Sequence, residues 1–279
     1  MSAPELDGAR LARLMDDLGR VALETGALLR AQLGRPRHVD KKGAVDLVTD
    51  ADRASEALVY ARLAAAFPGA RFVLEEGGEK RAPGAGSEDL TFIVDPLDGT
   101  TNYAAGIPHF GVSLGALVEG EGVVAGAIYD PFRDELFRAA RGQGAWLSDQ
   151  RLRVSSRASL KDSVLATGFA YDRFTTRDDN HAEFAALNLL TRGCRRNGAA
   201  TLDLAWVAAG RFEAYWERGL KPWDVAAGVV LVEEAGGLVT RYDGGPFEMG
   251  RGELLASNGL VHDETRAALE GARRAAGLL

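Results

Sequence analysis

Apolar positions near the start of the chain recur at helical spacing. Leu11, Met15, Leu18, Ala22 and Leu29 share one face, which predicts an amphipathic helix over about the first 30 residues. A second helix is expected over residues 50–67, where Pro68 and Gly69 stop it. Residues 71–76 read as a strand running into a loop. Residues 77–89, rich in Gly, Lys, Glu and Pro, read as an exposed, mobile loop. Residues 91–95, 111–118 and 123–129 are β-rich runs, the last two joined by the turn Glu119-Gly120-Glu121-Gly122. Residues 136–154 suggest further antiparallel strands.

After about residue 155 the rhythm changes. Strands are expected at 164–168, 212–216, 237–242 and 254–257. They alternate with helices at 179–191, from 198, at 224–235 and after Asp263. This pattern predicts an α+β / α/β layered sandwich with alternating helix and sheet layers. It divides into an N-terminal α+β part, 1–153, and a C-terminal α/β part, 154–279.

Composition narrows the partners. A net charge of -7 lacks the broad basic field that nucleic-acid binding usually needs. Cys194 is the single cysteine, so no intrachain disulfide can form. No apolar run approaches a membrane span, and no basic-then-apolar leader opens the chain, so a cytoplasmic protein without membrane contact is expected.

The richest stretch is Asp95-Pro96-Leu97-Asp98-Gly99-Thr100-Thr101-Asn102-Tyr103. An apolar strand ends in a carboxylate, and a second carboxylate follows three residues later in a turn. Gly99 permits backbone angles closed to other residues. Amides at such a turn or helix start can cradle a phosphate. Two adjacent carboxylates repel unless a cation neutralises them, and Mg²⁺ takes oxygen ligands while leaving room for water and phosphate. Three further acidic segments could join this site. Residues 46–52 carry Asp46, Asp50 and Asp52 at a helix start. Glu75-Glu76 ends a strand, and Trp223-Asp224 opens a helix. Alone, residues 46–52 read as an N-cap and the Glu pair as solvated charge, while Asp224 suits an N-cap and a ligand alike.

Taken together and in order, the four segments resemble the motifs of the inositol monophosphatase family, over nearly the whole chain. The resemblance implies an inositol-monophosphatase-like fold and two to three Mg²⁺ ions. Glu75 and Asp95, with the carbonyl of Leu97, would hold the first ion; Asp95, Asp98 and Asp224 would hold the second; a third would sit near Glu75. Asp52 and Thr100 would orient and deprotonate the metal-activated water. Amides at Gly99 and Thr100 would receive the phosphate. Gly198, Ala199, Ala200, Glu217 and Asp98 would meet the alcohol half of the substrate, and Lys41 matches a lysine near the metals. The implied activity is hydrolysis of a small phosphate monoester, foremost inositol 1-phosphate, by a Li⁺-sensitive homodimer. Histidinol-phosphate phosphatase, fructose-1,6-bisphosphatase and phosphoadenosine-phosphate phosphatase are the alternatives within the superfamily. A binding partner of the transcription machinery is the alternative of another class. The chain departs from the family pattern at Leu74 and Gly77, where Gly and Ser are common. It departs again at Ala199, where Ser or Thr is frequent. Cys194 reads as an inert thiol, His109 as a structural histidine, and Trp206, Tyr215 and Trp216 as core or interface; the Arg192/Arg195/Arg196 cluster reads as a solvated face, with a substrate's second anionic group or the partner subunit as its alternatives.

Overall fold

The computed structural model describes residues 7–34, 39–41 and 47–279, with side chains from 7–34 and 49–279. In chain order the elements are α1 (Gly8–Gln32), β1 (Val39–Lys41), β2 (Leu47–Thr49), α2 (Asp50–Ala66), β3 (Arg71–Leu74), β4 (Gly78–Arg81), β5 (Leu90–Asp98), α3 (Thr100–Ala105), β6 (Gly111–Val118), β7 (Gly122–Asp130), β8 (Glu135–Ala140), β9 (Gly144–Leu147) and β10 (Gln150–Arg151). They continue with β11 (Val164–Thr167), α4 (His181–Leu190), β12 (Gly193–Arg195), α5 (Ala200–Ala208), β13 (Ala214–Arg218), α6 (Pro222–Glu234), β14 (Leu238–Thr240), β15 (Glu253–Ser257) and α7 (His262–Ala275).

An eight-stranded sheet runs β10-β9-β8-β7-β6-β5-β3-β4, and a five-stranded sheet runs β12-β11-β13-β15-β14. The larger sheet carries α1 and α2 on one face and α6 with α5 on the other. The smaller sheet packs against α5 and α6, with α4 and α7 beyond it. The layers therefore alternate helix, sheet, helix, sheet, helix, as the sequence pattern predicts. One apolar core lies under α1 and α2, a second between the sheets around α5 and α6, and a third under α4 and α7. The strands of the large sheet fall within residues 71–151 and those of the small sheet within 164–257. Helices α5 and α6, from the part expected over 154–279, cover the sheet of the part expected over 1–153.

Local chemistry explains the helix starts. The Asp7 carboxylate caps α1 by accepting from the Arg10 amide. At α2, Thr49 is the cap and Asp52 closes a capping box three residues on. The helix start expected for residues 46–52 thus falls at Asp50; Asp46 lies outside the described residues. Helix α6 opens with Pro222, so Asp224 sits in its first turn rather than at the cap.

Residues 225–232 of α6 are all buried. A helix apolar on all sides belongs between two packed layers. Gly115 and Gly126, paired across β6 and β7, let α6 approach the sheet. A Cβ on Gly115 would stand 2.7 Å from the Ala226 Cβ, and one on Gly126 would stand 2.7 Å from the Ala227 Cα. This close seat fixes where the N-terminus of α6, and hence Asp224, meets β5.

The stretch expected to be a loop over 77–89 contains β4, an exposed strand pairing antiparallel with β3. It lies at the sheet edge, where polar side chains serve on both faces. Neither β1–β2 nor β12 was expected.

Candidate active site

Strands β3 and β5 are parallel neighbours, with Leu74 opposite Val94. Their chain ends therefore bring Glu75 beside Asp95. The pairing of β5 with β6 shifts register between Asp95 and Asp98, so the ladder is irregular where these two carboxylates lie. Asp95 accepts from the Leu97 amide at 3.0 Å. Asp98 accepts from both the amide and the hydroxyl of Thr201 on α5, at 2.8 and 2.6 Å. Asp224 accepts from the Lys221 amide at 2.7 Å. Glu75, Asp95, Leu97, Asp98, Gly99, Thr100 and Asp224 line one cavity of about 200 Å³.

Burial raises the Asp95 carboxyl well above the usual range, and the charges of Glu75, Asp98 and Asp224 raise it further. Burial pushes Asp98 up to about 6, although the Thr201 hydroxyl pulls it back. Asp224 is likewise well above its ordinary value, chiefly through burial. Among the described residues, no three acidic, His or Cys side chains are gathered tightly enough to form a ready-made ion cage. The donors are carboxylates and a main-chain carbonyl around one cavity, and oxygen donors of this kind suit a hard divalent cation.

Asp52 is fully buried. Its Oδ2 accepts from the Thr49 amide at 2.7 Å and the Thr49 hydroxyl at 2.5 Å. Its Oδ1 is 3.0 Å from the Thr100 hydroxyl, which also reaches the Leu97 carbonyl at 3.0 Å. Thr100 lines the cavity and Asp52 stands behind it. Gly99 has φ 85° and leads into α3. Its left-handed turn would bring a side chain within 3.1–3.2 Å of the His109 and Gly198 carbonyls, so only glycine fits.

A second cavity of about 90 Å³ adjoins the first, sharing Asp98, Tyr171, Gly219 and Asp224. Gly198, Ala199, Ala200 and Glu217 line it. Glu217 accepts from the Tyr215 phenol. Burial pushes its carboxyl up to about 7. Arg196 lies over Gly198, and its charge acts on both Glu217 and Asp203. Lys41 falls in β1, and its side chain lies outside the described residues.

Three residues escaped the sequence reading. Thr201 holds Asp98. Glu56 accepts from the Glu76 and Gly77 amides at 2.8 and 3.2 Å, and so fixes the turn that follows Glu75. Asp203 lines the second cavity. Glu56, one helical turn beyond Asp52 on α2, was the most findable; Thr201 carries no such signal.

Other readings gain detail. Burial pushes the Cys194 thiol up to about 11, which makes it unreactive. His109 packs edge-on against Trp206, which lies between Arg133 and Arg211. Arg192 pairs with Asp162. Trp216 donates to Asn180 at 2.8 Å within the core. Tyr215, read as core or interface, is fully buried and also donates its hydroxyl to Glu217.

A cavity lined by the carboxylates of Glu75, Asp95, Asp98 and Asp224 adjoins a small polar pocket, an arrangement that suits a hard divalent cation beside a polar substrate. Residues 15–274 match the family model described as the inositol monophosphatase family. The chain is 46% identical over 248 residues to an inositol-1-monophosphatase of Synechocystis, covering 88% of this chain and 85% of the relative. It is 46% identical over 222 residues to the Nus factor SuhB of Pseudomonas aeruginosa, covering 79% and 81%. The solved inositol monophosphatase of Anabaena superposes with TM-score 0.84 at 46% identity, covering 94% of this chain and 96% of that one. The chain belongs to the inositol monophosphatase family.

Proposed function

We propose that this enzyme hydrolyses inositol 1-phosphate to inositol and phosphate with Mg²⁺ as cofactor. The observation that carries the reading is the junction of two cavities: carboxylates line one, and Glu217 stands in the other. Glu75, Asp95 and the Leu97 carbonyl would hold one ion, Asp95, Asp98 and Asp224 a second, and Glu75 a third. Bound there, Mg²⁺ supplies Lewis-acid stabilisation of phosphoryl oxygens and acidifies water.

The chain's own groups do the rest. The Gly99 and Thr100 amides receive phosphate oxygens. The Thr100 Oγ1 takes a proton from the attacking water as it passes its own to the Asp52 Oδ1, along the 3.0 Å contact. Asp52 is held by Thr49, so the acceptor is fixed before substrate arrives. Glu217, tied to Tyr215, reads a hydroxyl of the leaving alcohol.

The second cavity favours a monophosphate over the bisphosphate and phosphoadenosine alternatives. Asp203 and Glu217 border it against the single guanidinium of Arg196, a poor lodging for a second phosphate. Histidinol phosphate is a lesser reading, because its ammonium would meet those acids but its imidazole has few hydroxyls for them to read.

The test is phosphate release from inositol 1-phosphate, histidinol phosphate, fructose 1,6-bisphosphate, phosphoadenosine phosphate and glycerol 2-phosphate, each with Mg²⁺ and with chelator. A dominant Mg²⁺-dependent kcat/KM on inositol 1-phosphate is expected. Absence of release from all five would overturn the reading. Millimolar Li⁺ should inhibit. The same reading includes a cytoplasmic homodimer. No helix among the described residues is long and apolar enough to cross a membrane, and exposed Ile107, Phe132, Phe174 and Leu189 offer apolar contact.

The similarity to the Pseudomonas aeruginosa Nus factor SuhB favours a second role as a partner of the transcription machinery. Co-purification with RNA polymerase factors that survives loss of catalysis would support it.

A further inference from the structure

Two carboxyl groups in the second cavity are held in the same manner. Glu217 has one oxygen, Oε2, tied to the Tyr215 phenol. Asp203, on the first turn of α5, has Oδ1 tied to the Asn197 amide at 2.6 Å. The remaining oxygen of each accepts from no donor among the described residues, and neither is sealed away as a stranded buried atom. Both side chains border the same cavity of about 90 Å³. Anchoring one oxygen while leaving the other toward a pocket is how a protein presents a carboxyl group to a ligand hydroxyl.

Ala199 also lines this cavity. It is the residue before α5 and brings no hydroxyl to the pocket. Asp203 lies one helical turn on, with its amide bonded to the Ala199 carbonyl at 3.1 Å. The polar group that Ala199 lacks is thus provided from the next turn of the same helix.

We propose that Asp203 is a specificity-determining residue that, with Glu217, binds hydroxyls of the leaving alcohol and selects a polyol monophosphate over a phosphate ester poor in hydroxyls. This rests on the phosphatase reading above and adds to it a second hydroxyl-binding carboxyl. Neither oxygen takes part in the chemical step, so the effect lies in substrate binding.

The experiment compares Asp203→Leu and Asp203→Asn with the parent enzyme on inositol 1-phosphate and glycerol 2-phosphate, with Mg²⁺ saturating. Asp203→Leu should raise KM for inositol 1-phosphate about tenfold, the scale of one lost hydrogen bond to a charged or buried group, with kcat within about threefold. Its loss on glycerol 2-phosphate should stay below about threefold. Asp203→Asn, which keeps a polar group and the Asn197 bond, should fall between. Adding Ala199→Ser to Asp203→Leu should recover part of the selectivity, which a merely structural defect would not allow. Equal losses on both substrates, or no change on either, would overturn the proposal. Should Asp203→Leu not fold, Asp203→Asn carries the same comparison. A parent enzyme inactive on both substrates would instead overturn the inositol 1-phosphate reading, so the two failures are distinct.

Discussion

Thr201 gives both its backbone amide and its hydroxyl to one oxygen of Asp98, across 103 positions of sequence. The hydroxyl bond is short and largely shielded, so it should do more than a surface contact. Thr201→Val keeps the amide bond and removes the hydroxyl. It should cost about 1–2 kcal/mol of stability and raise the Mg²⁺ concentration for half-maximal activity several-fold. Thr201→Ser should restore both. Urea unfolding and a calorimetric Mg²⁺ titration would check this, and an unchanged ion affinity in Thr201→Val would refute the positioning role.

Gly168 faces the Glu217 carboxylate so closely that an added Cβ would lie 2.1–2.3 Å from its carboxyl atoms. Glycine is required here for space. Gly168→Ala must push Glu217 aside or move β11, and KM for inositol 1-phosphate should rise about tenfold or more. Steady-state kinetics on inositol 1-phosphate and glycerol 2-phosphate would show the loss concentrated on the first.

How far the sequence was legible follows from distance along the chain. Asp95 to Tyr103 could be read because strand end, turn and helix start are consecutive. The layered fold was legible because strand and helix periods alternate after residue 155. Glu56 was findable only from its place one turn beyond Asp52, and Thr201 and Asp203, in the first turn of α5, were not legible. Each sits on a helix and acts on, or beside, a group from another element, and a first-turn acid or threonine looks like any other. Tyr215 was hidden for a related reason: its ring belongs to the core, while its hydroxyl meets Glu217 two residues on. Strand β4 was missed because all its residues are exposed, leaving no alternation to detect.

Asp95 is nearly buried among Glu75, Asp98 and Asp224, whose charges all oppose its ionisation. Without a cation this repulsion destabilises the fold. Asp95→Asn removes an ionisable group from the cluster, and with it the cost of burying that carboxyl there. In chelator its Tm should therefore rise by a few degrees, since about 1 kcal/mol shifts a domain of this size by ~2–4 °C. Stabilisation by Mg²⁺ and measurable turnover should both disappear. Thermal scans with and without Mg²⁺, beside phosphate release, would test this. Full Mg²⁺-dependent turnover in the variant would remove Asp95 from the ion site.

His109 lies buried against Trp206, and its Nε2 has no hydrogen-bond partner. Burial lowers its pKa from 6.5 to about 4; the Arg133 charge adds to this, and Asp130 opposes it. The folded protein therefore keeps the ring neutral at a pH where the unfolded chain has already taken up a proton. The unfolded state binds more protons between pH 6.5 and about 4, so stability rises with pH across that window. The contribution is fully present above pH 6.5 and lost as pH falls toward 4; two and a half pKa units correspond to an upper bound on the order of 3 kcal/mol. His109→Gln carries no titrating ring. Its urea-unfolding free energy should fall less steeply than the parent's between pH 6.5 and 4.5. Parallel curves for the two proteins would show that His109 is not the group that titrates.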